Sequence, residues 1–214
     1  MDTAISTGVT NTHTKQYIMQ NSFFRSNSYF IDENVNFFKF ENSYQLYDDM
    51  GVHIGAVCQK LTIGQKLLRM LLNKAMLPFL LEIRDLDGNV QATISRGWTF
   101  WMSKITITDG NSITAGTIKQ KFKFFKPEFN ISDNNGQEIA KITGDWKAWN
   151  FDILDANSLL IGSISKKWAG AMQEIFTSAD KYNVTLNSEI KDNLRKIAIL
   201  SSAITIDMVL KESK

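Results

Sequence analysis

The amino-acid sequence predicts a mainly β fold with one α element: a closed antiparallel β-barrel wound around a buried, hydrophobic C-terminal helix. Two observations lead there. The first is the stretch from Leu194 to Leu210, where Leu194, Ile197, Leu200, Ala203, Ile204, Ile206, Val209 and Leu210 fall all round a helical wheel instead of on one stripe. A helix that is apolar all round is either a membrane span or the centre of a larger structure. The second is a unit that recurs along the chain: a segment of alternating polarity, a turn bearing aspartate, and another β-rich segment.

The helix is short for a span. Crossing a bilayer takes about 20 apolar residues. The uncharged run from Ile197 to Ile206 is about half that length and contains Ser201, Ser202 and Thr205. Asp207 then interrupts it, at a cost of roughly 3 kcal/mol if held in mid-bilayer. A buried core helix is the better reading, and the rest of the chain must supply its wall.

The repeated unit supplies that wall. Its copies are Tyr44 to Gly51 with Val52 to Val57, Leu81 to Gly88 with Asn89 to Ile94, and Ile105 to Asn111 with Ser112 to Ile118. Phe129 to Gly136 with Gln137 to Ile142, and Phe151 to Ser158 with Leu159 to Ile164, complete the set. Alternation at period two turns one face of each strand inward. Asp, Asn and Gly supply the side-chain bonds and positive φ that reverse the chain. Five such hairpins make at least ten strands, enough to curl and close, and closure removes exposed edges.

Residues 1–27, rich in Thr, Ser and Asn, read as a flexible N-terminal arm, and residues 28–214 as the barrel domain with its central helix at about 189–211. A further helix is expected between the first two hairpins, with Thr62 as N-cap, Lys74 in its last turn and Pro78 beyond it. Gln65, Lys66, Arg69 and Asn73 share one side of it, and Ile63, Leu67, Leu68, Met70, Leu71 and Leu72 form a broad apolar arc. Such a helix either covers the barrel or lies on an anionic membrane. The second basic feature is Lys119 to Lys126. Lys119, Lys121 and Lys123 alternate with Phe122 and Phe124, so the lysines face one way, and Lys126 follows. A lysine row can hold lipid phosphate at about 1 kcal/mol per residue, or can simply be a solvated face that protects an edge.

Composition narrows the function classes. The chain has 214 residues, 43% apolar and 11% aromatic, with a net charge of +2, far from the basic field a nucleic-acid partner requires. Cys58 is the single cysteine, which excludes a disulfide framework and fits a reducing, cytoplasmic compartment. No cationic segment followed by an apolar run opens the sequence, so no signal peptide is expected. No catalytic constellation is visible. His13 and His53 lack a zinc-ligand arrangement, and the spacing of His53 and Cys58 puts them on opposite faces of a regular strand. Turn chemistry accounts for Asp48, Asp49, Asp85, Asp87, Asp109, Asp133 and Asp155. Trp98, Trp101, Trp146, Trp149 and Trp168 follow or end strands; core packing is their expected role, with the barrel rim the alternative.

From about Phe122 onward the chain resembles the phospholipid scramblase family, within the tubby C-terminal-like superfamily that also holds LURP-one-like proteins. The resemblance is carried by Lys126-Pro127-Glu128-Phe129-Asn130-Ile131 and by the hairpin from Phe151 through Ile161-Gly162-Ser163-Ile164. Lys166-Lys167-Trp168-Ala169-Gly170, then Glu174-Ile175-Phe176-Thr177-Ser178-Ala179-Asp180, and the terminal helix from Lys196 to Asp207 extend it. It covers roughly the last 90 residues well and the first half by repeat pattern only. It implies a twelve-stranded tubby-like barrel around the C-terminal helix, and contact with phospholipid. The chain departs from animal scramblases in lacking a proline-rich arm, with only Pro78 and Pro127, and a cysteine-rich palmitoylation segment. The family's calcium segment corresponds to Ser178 to Glu189, where Asp180 is kept but Lys181 adds a cation. Calcium prefers several carboxylates, so weak binding or none is expected, and Asn187 or Ser188 is read as the cap of the final helix.

The expectation is a non-enzymatic, monomeric barrel with no cofactor, peripheral to a membrane and bound to anionic phospholipid. Lys119, Lys121, Lys123 and Lys126 would take the head groups, helped by Lys66 and Arg69; phospholipid scrambling is implied by the resemblance alone. The alternative is a soluble protein-interaction or regulatory module of the same superfamily.

Overall fold

The computed structural model describes residues 23–33, 43–64, 77–98, 104–121, 127–145, 147–166, 181–187 and 190–212. Twelve antiparallel strands form a closed barrel in which each strand pairs with the next in sequence and the last closes on the first. They are β1 (Ser28–Glu33), β2 (Ser43–Tyr47), β3 (His53–Lys60), β4 (Phe79–Asp85), β5 (Val90–Arg96) and β6 (Lys104–Asp109). The second half is β7 (Thr114–Lys121), β8 (Glu128–Ser132), β9 (Glu138–Asp145), β10 (Asn150–Leu154), β11 (Leu160–Ser165) and β12 (Lys181–Leu186). Most inward positions are apolar, as period two requires: Leu81 and Ile83 on β4, Phe129 and Ile131 on β8, and Phe151 and Ile153 on β10 are all buried, with Gln59 on β3 and Arg96 on β5 as buried polar exceptions.

The C-terminal helix, Asn193–Glu212, fills the barrel. Every residue from Lys196 to Val209 is buried, about 21 Å of helix at 1.5 Å per residue. It packs chiefly against β5 to β8. Gly116 of β7 leaves room for the helix: an added Cβ there would stand 3.2 Å from the Ala198 methyl and 2.9 Å from the Ser132 carbonyl oxygen. Two of the three hydroxyls that shortened the apolar run bond inside the helix: Ser202 Oγ donates to the Ala198 carbonyl (2.6 Å) and Thr205 Oγ1 to the Ser201 carbonyl (2.7 Å), while Ser201 Oγ is buried without a partner among the described residues. Among the described residues no helix is long and apolar enough to cross a membrane.

The helix cap differs from expectation. The cap is Asp192, not Asn187 or Ser188, and helix residues begin at Asn193. Asp192 Oδ1 accepts from the Leu194 amide (3.0 Å), and its carbonyl accepts from the Lys196 amide (3.0 Å). Earlier in the chain, Lys181–Leu186 forms the closing strand β12, with Tyr182, Val184 and Leu186 inward.

At the start of the barrel, Phe23 and Phe24 are buried in the core. The Lys196 ammonium donates to Asn27 Oδ1 (2.9 Å) just before β1. Residues 1–22, and most of the helix expected after Thr62, lie outside the described residues.

Candidate functional site

Alternating strand direction puts all five aspartate turns at one end of the barrel, and they share one construction. In the first, the Asp48 amide donates to the Val52 carbonyl and the Gly51 amide to the Asp48 carbonyl. Asp48 Oδ1 meanwhile accepts from the amides of Met50 (3.0 Å) and Val52 (2.9 Å). The backbone pair recurs at Asp85, Asp109, Asp133 and Asp155. The two amide bonds to the carboxylate recur at Asp109, Asp133 and Asp155. Asp85 bonds the Asn89 amide (2.8 Å) and also the side chain of Gln91 (2.7 Å). The fourth turn residue has positive φ each time: Gly51, Gly88, Ser112, Gly136 and Ser158. The register slips just before each turn, as a bulge demands. These five aspartates are therefore turn ligands, as their sequence context predicts, whereas Asp49 and Asp87, assigned to the turns by the same reading, sit within them but accept no turn amide among the described residues.

The turn end also carries a cavity of about 560 Å³. Phe23, Val52, Ile54 and Leu86 give it apolar walls; Asp48, Asp49, Asp85 and Asp87 line it together with Arg25, a balance of four acids to one permanent cation. It is a poor receptor for an anion. His53 is also at its rim, against the Tyr47 ring at 5.2 Å between centroids, while Cys58 is half-buried and pairs in register with Glu82 of β4. Tyr29 and Tyr182 are buried, and burial raises both phenols above the ordinary tyrosine range. Asp49 and Asp48 add to the effect on Tyr29, and Asp207 to that on Tyr182.

The lysines lie elsewhere on the molecule. Lys119 is exposed on β7, toward the end opposite the turns. Lys121 ends β7; its side chain, together with Lys123, Lys126, Lys66 and Arg69, lies outside the described residues. Two lysines that sequence reasoning passed over stand level with Lys119: Lys104 of β6 is its direct partner, and beyond Asn130 of β8 comes Lys141 of β9.

Trp98 follows β5 at this same end and is 54% exposed, so it is a rim residue and not a core one. Trp149 is the packed tryptophan, stacked on Tyr182 at 5.6 Å and edge-on to Phe151 at 5.4 Å. Trp101, Trp146 and Trp168 lie outside the described residues.

The calcium expectation rests on a segment that is only partly described. Its described portion runs as β12, with the Lys181 ammonium 3.2 Å from Asp32 Oδ2 and Asn183 Oδ1 accepting from the Ser28 hydroxyl at 2.9 Å. Asp180, Ser188 and Glu189 lie outside the described residues. Among the described residues no group of three His, Cys, Asp or Glu side chains could hold a metal ion.

Known proteins place this architecture. A protein of Arabidopsis thaliana solved by X-ray crystallography superposes with a TM-score of 0.53 over 91% of this chain and 96% of its own, at 8% identity, which shows the shared fold. Human phospholipid scramblase family member 5 is 27% identical over 146 residues, covering 62% of this chain and 54% of its own. Mouse phospholipid scramblase 1 is 26% identical over 150 residues, 63% of this chain and 45% of its own. Altered inheritance rate of mitochondria protein 25 of Saccharomyces cerevisiae is 26% identical over 197 residues, 79% of this chain and 60% of its own. The chain thus spans about half the length of the curated relatives it matches. The sequence profile of the family described as Scramblase matches residues 18–213, nearly from end to end, and the chain belongs to that family.

Proposed function

We propose that this protein binds anionic phospholipid at a membrane surface through the lysine-bearing end of its barrel, without catalysing a chemical step. The observation that carries the reading is the separation of charge. The turn aspartates gather at one end and bond their own backbones, while Lys104 and Lys119 stand exposed toward the other. Basic residues near an anionic surface contribute about 1 kcal/mol each and lose effect as salt rises. Lys121, Lys123 and Lys126, with Lys66 and Arg69, extend the same basic region in sequence. Membership of the scramblase family, and relatives named as phospholipid scramblases, support a phospholipid partner.

In this reading the C-terminal helix takes no part in lipid contact, since it is enclosed by the strands. The protein works as a peripheral, cytoplasmic, monomeric barrel. Any role in scrambling would act through other components, because a barrel filled by its own helix offers no polar path for a head group.

Flotation with liposomes tests this. The intact chain is expected to float with vesicles containing anionic lipid, to stay behind with neutral vesicles, and to be released by about 0.5 M salt, where the screening length falls well below 10 Å. Substitution of Lys121→Glu with Lys123→Glu is expected to weaken flotation. Protein that never floats would leave the second reading, an interaction module using the acidic, apolar-walled cavity at the turn end.

A further inference from the structure

We infer that Lys104, Lys119 and Lys141, with Trp98 beside them, form a site for the phosphomonoester head group of a membrane lipid. The inference rests on the peripheral-binding reading above and gives that reading a location and a ligand class.

The register makes the site. Lys104 pairs directly with Lys119, Lys119 with Asn130, and Asn130 with Lys141. Four neighbouring strands thus present three lysines and one amide in a line across the wall. At about 4.8 Å between strands, the line is about 14 Å long. Like charges directly opposite one another across a strand pair are destabilising, and Lys104 faces Lys119 in that way.

Elsewhere the wall pairs opposite charges. Lys60 lies 3.7 Å and Arg84 2.6 Å from Glu82, and Lys181 lies 3.2 Å from Asp32. Among the described residues no ion pair reaches Lys104, Lys119 or Lys141. Glu128 of β8 and Asp152 of β10 stand one diagonal step from Lys119 and Lys141 on the same outer face without an ion pair to either, and Glu138 accepts from the Asn130 side chain at 2.7 Å. Two like charges opposed on neighbouring strands, with no carboxylate joined to either among the described residues, mark Lys104 and Lys119 for an anionic ligand.

The surroundings indicate what that ligand is. Two opposed ammonium groups favour a dianionic phosphate over a singly charged diester, and a phosphomonoester carries between one and a half and two charges near neutral pH, by analogy with a phosphorylated side chain, roughly twice a diester's. Arg96 pairs with Ile105, so Trp98, two residues further on, lies just beyond Lys104 at the same end. An exposed indole at that place suits the boundary between head groups and acyl chains. The row begins at the end away from the aspartate turns and reaches Lys141, which pairs with Leu154 just before the fifth turn, so Lys104, Lys119 and Trp98 are the part turned to an anionic surface.

Binding of the intact chain to phosphatidylcholine vesicles containing phosphatidic acid is the test, against phosphatidylglycerol vesicles of matched surface charge. The wild-type chain is expected to bind the phosphatidic acid vesicles more tightly. Lys104→Glu is expected to lose about 30-fold in affinity, the effect of two charges at the surface. The same change should keep or raise the melting temperature, by about 1–3 °C, because it turns a like-charge pair into an opposite one. Lys191→Glu makes the same change in net charge at the turn end and is expected to bind within twofold of wild type.

Equal binding by Lys104→Glu and wild type would overturn the site and leave peripheral binding standing. Equal affinity for the two matched vesicles would overturn the phosphomonoester assignment. Wild type that binds no anionic vesicle would overturn the peripheral reading itself. Inorganic phosphate that raises the melting temperature as much as the vesicles do would make this a free-phosphate site and overturn the membrane one.

Discussion

The two ends of this barrel are built from the same strands and use charge in opposite ways. At the turn end five aspartates are committed to structure, one carboxylate oxygen of each accepting an amide that closes its own turn, while Asp49 and Asp87 line the cavity beside them. At the far end Lys104 and Lys119 close no turn and, among the described residues, join no carboxylate. Charge that holds the backbone is not available to a partner, whereas charge that holds nothing is. That contrast, more than net charge, separates the structural end from the candidate binding end.

Alkaline pH should break the comparison most strongly, because a buried phenol sits toward each end. Tyr29 is raised by burial and then by Asp49 and Asp48; Tyr182 is raised by burial and then by Asp207. Both folded-state values lie above the ordinary value near 10. The native state therefore holds its protons where the unfolded chain releases them, and stability is intact below about pH 10 and falls as pH rises past it. Phenolate absorbance followed beside circular dichroism should show these two tyrosines ionising only as the barrel unfolds. Their ionisation in a folded barrel would contradict the burial.

Removing a turn carboxylate comes next. Asp85→Ala deletes the acceptor of the Asn89 amide and of Gln91, whose side chain is buried. Leaving buried donors unsatisfied should cost about 2–4 kcal/mol by urea denaturation. Asp155→Ala, which frees only exposed amides, should cost about 1 kcal/mol. Equal losses would mean that the side-chain bond to Gln91 adds nothing.

The positive-φ residue sharpens the same point on a smaller scale. Gly88→Ala meets no atom within 4 Å, so its cost is backbone strain alone, about 1 kcal/mol. Ser158, at φ 63°, occupies the equivalent place in the fifth turn. Ser158→Gly should stabilise by up to about 1 kcal/mol in the same assay. The smallest effect on stability is expected at the far end: Lys119→Gln should change it by less than about 0.5 kcal/mol, yet lower the affinity for anionic vesicles.

Much of this was legible in the sequence, for a physical reason. The turns are local: Asp and the residue three positions on lie within one short stretch, so pattern and mechanism coincide. The helix was legible because its apolar residues lie on every side while its uncharged run is too short for a span.

Strand β12 was not read as a strand, because Tyr182, Val184 and Leu186 alternate over a short segment and its partners, β1 and β11, include one more than 150 residues away. The cap at Asp192 was passed over for candidates nearer the expected start. The transverse lysine row could not be counted from the chain at all. Each hairpin carries a bulge that shifts its pairing, so Lys104 meets Lys119 only once the register is known.

The central claim is that the C-terminal helix is the core of the barrel and that any membrane contact is made by the outer surface. Ser202, fully buried at the middle of the helix, gives the most direct test. In a Cys58→Ser background, Ser202→Cys is exposed to a lipid-soluble maleimide with and without anionic vesicles. The account predicts no labelling in either case until denaturant is added. Labelling that begins when vesicles are supplied would show the helix entering lipid, and would contradict it.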